Sequence, residues 1–253
     1  MRSNKKMKKI GLIGGLSYPS TITYYERINR LGNQHLGEAH SPHVVIESLD
    51  FQRIADWLTT GDKTSIVDEL ASAASRLTDA GAELVAMCCN TVHKYASEVQ
   101  ARLDAPIVNI CRCTADHAAL LGYQRVGLLG STYSMEESFY HREFDHRGID
   151  AIIPLPDERR FIQHAIEAEL SVRAASPETR RRFLEIGQAL MSRGAQTLVL
   201  ACTEIPLVIR PGDLTVLPID TVEVHVAAIV AQALLPDVHE PVFHPEALCV
   251  PTI

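Results

Sequence analysis

The sequence predicts an α/β protein made of two pseudo-symmetric lobes, each built on a mostly parallel sheet. Two observations predict this fold class: short apolar runs alternate with longer amphipathic segments, and the second half of the chain repeats landmarks of the first. Alternation of strand and helix is typical of α/β proteins, because parallel neighbouring strands need a long crossover connection that is usually a helix.

The apolar runs are the predicted strands. They are short and rich in Val, Ile and Leu, as expected for strands of a parallel sheet that is covered on both faces. The runs are residues 10–13, 44–46, 84–87, 107–110, 126–129, 152–155, 198–201 and 216–219. Between them, residues 64–80 and 177–193 have the apolar spacing of amphipathic helices.

An internal repeat relates the two halves. The strand and glycine turn of residues 10–15 recur later in the chain, and residues 81–91 align without gaps on residues 194–204. This alignment places Cys89 and Cys202 at matching positions. Two related half-chains, each with one cysteine at the same place, indicate two similar lobes that face each other across a pseudo-two-fold axis.

The repeat also sets the expected domain boundaries. We expect the first lobe to span residues 1–113, with residues 219–253 returning to it, and the second lobe to span residues 114–218. The tail, residues 236–253, contains several prolines and little helical pattern. We expect it to be an extended strap or partly disordered.

Composition excludes several classes of function. The chain has 253 residues, 46% of them hydrophobic, which is enough to bury the cores of two lobes. Its net charge of -7 argues against a nucleic-acid partner, since phosphate binding needs a basic surface. The basic start of the chain precedes an apolar run too short and glycine-rich for a signal peptide, and no run is long enough to span a bilayer. We therefore expect a cytoplasmic protein without a membrane partner.

Cys89 and Cys202 suggest a reaction. Each follows an apolar strand, and ligands of open α/β sheets bind at the carboxyl ends of strands, so both thiols are expected to point into a cleft between the lobes. A helix starting after each cysteine would favour the thiolate. Two sulfurs on opposite faces of an α-carbon, each at roughly 3–3.5 Å and so about 7 Å apart, could remove a proton from one face and return one to the other. This inverts the stereocentre.

The substrate carboxylate gains negative charge as the α-proton leaves. Backbone N–H groups at helix starts can stabilise that charge without a metal or pyridoxal cofactor. The predicted helix starts are Asn90–Thr91, Ser131–Thr132 and Thr203–Glu204.

Two other kinds of site are weighed against this interpretation. A zinc site is disfavoured because adjacent cysteines point to opposite sides of a strand and no pair has the C-x-x-C spacing; its ligands would be Cys88, Cys89, His93, Cys111 and Cys113. A nucleotide turn at residues 11–15 lacks the full G-x-G-x-x-G pattern. We expect no metal and no cofactor. The cysteines outside the matched pair, Cys88, Cys111, Cys113 and Cys249, are interpreted as small buried hydrophobes.

Several groups of residues match the motifs of a known family. They are residues 11–17 with Ser20, Thr21, Tyr24 and Tyr25; residues 89–93; residues 129–131 with Met135 and Tyr140; residues 202–205; and Asp220, Thr221 and His225. With these motifs the chain resembles the aspartate/glutamate racemases, and among them the broad-specificity bacterial amino-acid racemases.

The resemblance implies two flavodoxin-like lobes with the site between them, Cys89 and Cys202 as the two acid/base residues, no cofactor, and a homodimer. It implies a substrate carboxylate near Asn90, Thr91, Thr132 and Thr203. With both cysteines present, the chain is expected to act on both enantiomers. The predicted substrate-binding residues are Leu16, Ser17, Asn90, Thr91, Ser131, Thr132, Thr203 and Glu204.

Departures from the family pattern leave the amino acid open, either aspartate/glutamate or a broader range. Tyr18 and Pro19 replace a common Trp-Glu pair, residues 171–174 replace a familiar Cys-x-Gly ending, and the apolar Trp57 and Leu58 stand where a polar side chain often selects the substrate.

Some charged side chains have two interpretations each. The arginines that could receive a side-chain carboxylate, or be solvated surface charges, are Arg53, Arg159 and Arg160. Glu204 and His93 could tune the thiols, or cap and pack. The alternative functions are another two-cysteine reaction, of the maleate isomerase or hydantoin racemase type, and a non-catalytic amino-acid sensor.

Overall fold

The structure is a computed structural model that describes residues 7–172 and 174–235. Within these residues the chain divides after Asn109 and again after Val224 into two compact units. The first unit holds the residues before Ile110 together with those from His225 onward, and the second holds Ile110–Val224. Residues 236–253, where a strap or disorder is expected and where Cys249 lies, are outside the described residues.

The first unit is a parallel sheet flanked by helices. Its four strands have the order β2-β1-β3-β4. The strands are β1 (Ile10–Gly14), β2 (Val44–Ser48), β3 (Leu84–Met87) and β4 (Ile107–Val108). The helices are α1 (Tyr18–Leu36), α2 (Phe51–Thr60), α3 (Lys63–Asp79), the 3₁₀-helix Thr91–Tyr95 and α4 (Ala96–Gln100).

The second unit has the same arrangement, with the strand order β6-β5-β7-β8 and parallel pairing throughout. The strands are β5 (Arg125–Gly130), β6 (Asp150–Ile152), β7 (Thr197–Ala201) and β8 (Ile219–Asp220). The helices are α5 (Ile110–Leu120), α6 (Thr132–Glu136), α7 (Ser138–Asp145), α8 (Pro156–Ala168), the 3₁₀-helix Leu170–Val172, α9 (Pro177–Ser192), the 3₁₀-helix Ile205–Leu207 and α10 (Thr221–Leu234), which continues into the first unit.

The predicted fold class is confirmed. Each sheet is parallel with the order 2-1-3-4, which is the start of the flavodoxin-like order. The two amphipathic segments predicted at 64–80 and 177–193 are α3 and α9, within one residue at each end.

Close packing explains why β1 and β5 both contain a glycine at the matching position of the repeat. A Cβ atom on Gly11 would lie 3.1 Å from Leu77 Cβ on α3, and one on Gly127 would lie 3.1 Å from Leu190 Cδ1 on α9. Contacts this short are closer than packed carbons tolerate, so only glycine lets α3 and α9 approach these strands. In both units the strand that leads to the cysteine pairs directly with this glycine strand.

Two details of the expected division differ from the structure. Residues 219–253 were expected to return to the first lobe, but Ile219 and Asp220 form β8, which pairs with β7 in the second sheet. A strand of two residues followed directly by a helix gives no sign in the sequence of which sheet it joins. The first boundary, expected after residue 113, lies after Asn109, at the start of α5.

No helix within residues 7–172 and 174–235 combines the length and the apolar character needed to cross a membrane.

Candidate active site

The loop after β1 is held in an unusual backbone conformation. Gly15 has φ +78°, and a Cβ there would lie 2.1 Å from the Leu49 carbonyl oxygen. Its N–H donates to the Thr21 hydroxyl at 2.9 Å. Ser17, which precedes α1, has φ +92°, a region that non-glycine residues seldom adopt. Leu16 is 2% exposed and packs in the core of the first unit, so only its backbone could contact a ligand.

The two adjacent cysteines after β3 have different surroundings. Cys88 is fully buried, and burial raises the pKa of its thiol above the usual range. Cys89 is partly buried and packs against the edge of the same core. The expectation that Cys88 points into the core is confirmed. Asn90 is buried and Thr91 is partly buried at the start of the 3₁₀-helix.

Three aromatic side chains lie together beside the Cys89 loop: Tyr24, His93 and His225, here called the histidine cluster. His93 Nδ1 donates to the Cys89 carbonyl oxygen at 2.8 Å. The His93 and His225 rings meet edge to face with centroids 5.4 Å apart, and Tyr24 donates its hydroxyl proton to His225 Nδ1 at 2.8 Å. Burial lowers the pKa of His93 to about 4 and that of His225 to about 3. Both imidazoles are therefore neutral at pH 7.

The Cys202 loop, after β7, holds its cysteine in another way. Cys202 is partly buried, and its thiol donates to Glu204 Oε2 at 3.1 Å. The Thr203 hydroxyl donates to the same oxygen at 2.6 Å. Glu204 is only 8% exposed, so its side chain is a buried hydrogen-bond acceptor next to the sulfur.

The helices that follow the two cysteines differ from expectation. They are 3₁₀-helices, Thr91–Tyr95 and Ile205–Leu207, instead of longer α-helices. Short 3₁₀ segments align few peptide dipoles, so they supply less positive potential than the sequence argument assumed. The contacts to His93 and Glu204 are the more specific features of each loop.

The loop after β5 contains the remaining predicted carboxylate-binding residues, Ser131 and Thr132. Both are partly buried. Ser131 caps α6 by accepting from the Ser134 N–H at 3.3 Å. The Thr132 N–H donates to the Gln163 side-chain oxygen at 2.7 Å, so this donor already has a protein partner. Sequence reasoning missed Gln163, because it lies on α8 outside every motif.

The three arginines considered for a substrate carboxylate all have acidic partners. Arg53 pairs with Glu69 at 3.5 Å and stacks over Trp57 at 5.0 Å. Arg159 pairs with Glu136 at 2.6 Å. Arg160 pairs with Asp157. The neighbouring apolar pair, Trp57 and Leu58, packs against the core of the first unit.

The side chains considered for zinc are divided between the units. His93, Cys88 and Cys89 belong to the first unit, whereas Cys111 and Cys113 lie on α5 of the second. Burial raises the pKa of Cys113 to about 12, and that of Cys111 also rises. Over residues 7–172 and 174–235 there is no group of three or more His, Cys, Asp or Glu side chains that could hold a metal ion.

Known proteins are similar to this chain in sequence and in fold. A Bacillus subtilis (strain 168) protein, the broad specificity amino-acid racemase RacX, is 24% identical over 208 residues, which cover 79% of this chain and 87% of that protein. The structure of a candidate Asp/Glu racemase from Yersinia pestis matches with a TM-score of 0.86 and 35% identity, over 90% of this chain and 100% of that one. An aspartate racemase homologue from Pyrococcus horikoshii OT3 matches with a TM-score of 0.78 and 29% identity, over 90% and 99%.

The sequence model of one family matches residues 13–229, a range that includes the second unit, most of the first, both cysteine loops and the histidine cluster. All the motif residues that indicated the resemblance lie inside this range except Gly11 and Leu12. The chain belongs to the Asp/Glu/Hydantoin racemase family.

Proposed function

We propose that the protein racemises an amino acid at its α-carbon without pyridoxal phosphate, using Cys89 and Cys202 as the acid/base pair. One observation carries the proposal. In two units of the same strand order, the strand next to the glycine strand is followed by a partly buried cysteine, two residues after β3 and one residue after β7, at the carboxyl edge of its sheet. That edge is where ligands of open α/β sheets bind.

The two loops support different starting protonation states. In the proposed starting state Cys202 carries the thiol proton and donates it to Glu204 Oε2, 3.1 Å away, because an ionised carboxylate can only accept hydrogen bonds. In this state Cys202 is the acid and Cys89, as thiolate, is the base. Cys89 takes the α-proton, the electron pair moves onto the substrate carboxylate, and Cys202 returns its proton to the opposite face. The reverse direction exchanges the roles.

The substrate class follows from the relatives and the arginines. The relatives' names include a broad specificity amino-acid racemase, a glutamate racemase and an aspartate racemase homologue. Arg53, Arg159 and Arg160 each have a carboxylate partner already. We therefore favour a range of amino acids over acidic ones alone. Asn90, Thr91, Thr203 and backbone groups of the Ser17 loop are the proposed contacts to the substrate carboxylate.

The test is incubation of the dialysed protein with each D- and L-amino acid in deuterium oxide. Chiral chromatography would measure inversion, and mass spectrometry would measure α-deuterium. We expect inversion with deuterium in the product. No inversion and no exchange for any common amino acid would reject the proposal.

The family's description also covers hydantoin racemases, so 5-substituted hydantoins are the second substrate set. Their inversion without amino-acid inversion would reassign the reaction within the family. Maleate tests the isomerase alternative, and amino-acid binding without exchange would indicate a sensor. The homodimer and the cytoplasmic location stay predictions from the sequence.

A further inference from the structure

The histidine cluster ties the Cys89 loop to three other segments of the first unit. Tyr24 lies on α1, His225 on α10, and His93 on the 3₁₀-helix that follows the cysteine. His225 Nε2 donates to the Val108 carbonyl oxygen of β4 at 2.8 Å. The cluster thus connects residues far apart in sequence to the backbone immediately beside Cys89.

Hydrogen bonding determines the tautomer of both imidazoles. A carbonyl oxygen can only accept, so His225 carries its proton on Nε2 and His93 carries its proton on Nδ1. The unprotonated His225 Nδ1 must then accept from Tyr24, as the 2.8 Å contact allows. These tautomers give the order of donation: Tyr24 to His225, His225 to Val108, and His93 to Cys89.

The His93 bond acts on the backbone of the cysteine instead of its sulfur. Fixing the carbonyl of Cys89 fixes the peptide plane that follows it and so restricts the ψ torsion of Cys89. Together with χ1, this torsion determines where the sulfur lies. A base must lie within contact distance of the proton that it removes, so small errors in this position are costly.

A packing role alone explains the cluster poorly. His93 is 3% exposed and His225 is fully buried, yet both are polar, and His93 Nε2 makes no hydrogen bond of normal geometry in the described part of the chain. An apolar side chain would fill the same space without a buried polar atom. The polar choice is accounted for by the donor that His93 supplies to the Cys89 carbonyl.

We propose that His93, held in place by His225 and Tyr24, is a positioning residue that orients the Cys89 thiol toward one face of the substrate. The proposal rests on the proposed racemase function. It predicts that loss of the His93 donor impairs the proton transfer at Cys89 and leaves the transfer at Cys202 intact.

The test compares His93→Leu, which fills the site without a donor, with His93→Asn, whose side-chain amide can replace Nδ1 as donor. For His93→Leu we expect kcat/KM to fall on the order of 100-fold in both directions, because racemisation has an equilibrium constant of one. His93→Asn should recover most of the loss. His117→Leu is the matched control, because His117 also has a buried ring nitrogen but lies on α5 of the other unit. This variant should leave kcat/KM unchanged.

The isotope effect separates positioning from general damage. With α-deuterated substrates, slower proton transfer at Cys89 should raise the kinetic isotope effect on kcat/KM for the enantiomer that Cys89 deprotonates. It should lower the isotope effect for the opposite enantiomer. Equal changes for both enantiomers, or wild-type kinetics in His93→Leu, would overturn the proposal.

Two further measurements keep the proposal testable. If His93→Leu does not fold, judged by circular dichroism, the same isotope asymmetry is expected, at smaller size, in Tyr24→Phe, and its absence there would reject the positioning role. If the wild type racemises nothing, the proposed function fails. In that case alkylation rates test the positioning role. The role requires that His93→Leu changes the alkylation rate of Cys89 and leaves the rate of Cys202 unchanged.

Discussion

The two cysteine loops occupy the same place in the two units and are held by different chemistry. Cys89 is anchored through its backbone carbonyl, by a neutral imidazole at 2.8 Å. Cys202 is contacted at the sulfur itself, by a carboxylate at 3.1 Å. The repeat therefore determines where the sulfurs lie on each sheet, whereas the residues after each cysteine determine how each is oriented and protonated. Symmetric position does not produce symmetric environment.

The largest expected effect comes from removing either sulfur as an acid/base. Cys89→Ser and Cys202→Ser should each reduce racemisation by at least about 100-fold, since general acid–base groups contribute on the order of 100- to 10,000-fold. Each variant should retain some α-hydrogen exchange, for opposite enantiomers, because the remaining cysteine still serves its own face. Chiral chromatography and mass spectrometry measure the two quantities.

Cys88→Ala is the matched control for these variants. Cys88 is adjacent to Cys89 in sequence but fully buried, so activity should persist with a modest loss of stability. Comparable racemisation by Cys89→Ser or Cys202→Ser would refute the two-cysteine mechanism. Equal loss of exchange for both enantiomers in folded variants would refute the assignment of one cysteine to each face.

Glu204→Gln should sharpen the contrast between the loops. It removes a negative charge next to the Cys202 sulfur and retains an oxygen that can accept from Thr203. The thiolate of Cys202 should form more readily, and alkylation at Cys202 should accelerate while the rate at Cys89 stays the same. We expect kcat/KM to fall by about 10-fold, with an isotope asymmetry opposite to that of His93→Leu.

An alkylation rate at Cys202 that does not change in Glu204→Gln would contradict the electrostatic contact. An isotope asymmetry of the same sign as in His93→Leu would mean that both loops act on one proton transfer.

Low pH should reduce the stability of the Cys89 loop more than that of the Cys202 loop. The pKa values of His93 and His225 lie at about 4 and about 3, below the ordinary 6.5, so the unfolded chain binds more protons in that interval. Stability from these histidines is present above pH 6.5 and is lost as pH falls toward 4, by at most about 1.4 kcal/mol per pH unit for each. Urea unfolding at pH 7, 6, 5 and 4 measures the slope.

Hydrogen exchange locates this loss. Amides of the Cys89 loop should exchange faster at pH 5 than at pH 7 after correction for intrinsic rates, while amides of the Cys202 loop change less. His93→Asn should flatten the stability slope. An unchanged slope in that variant would show that other groups, such as the paired carboxylates, cause the acid sensitivity.

The smallest effect is expected at Gln163. Its oxygen accepts from the Thr132 N–H at 2.7 Å, and Gln163→Leu should cost about 1 kcal/mol of unfolding free energy. If this N–H does not bind substrate, KM should stay within about 3-fold of the wild type. A KM lowered 10-fold or more would show that Gln163 competes with the substrate carboxylate for this donor.

The sequence alone determined the fold class and the paired cysteines. Buried parallel strands are read directly from short apolar runs, and an ungapped repeat transfers the place of Cys89 to Cys202 without any knowledge of packing. It also singled out Tyr24, His93 and His225 as motif residues, but not that they meet. Periodicity reports which face of an element is apolar, and it carries no information on which distant side chains become neighbours.

Tertiary structure decided the partners. It joined α1, α10 and the β3 loop into the histidine cluster, gave the Thr132 N–H to Gln163, and placed β8 in the second sheet. It also replaced the expected helix starts after the cysteines with short 3₁₀-helices. Some of these outcomes depend on hydrogen bonds between residues 20 or more positions apart. Others depend on small free-energy differences between turn and helix conformations of a short segment. Both are decided only when the whole core packs.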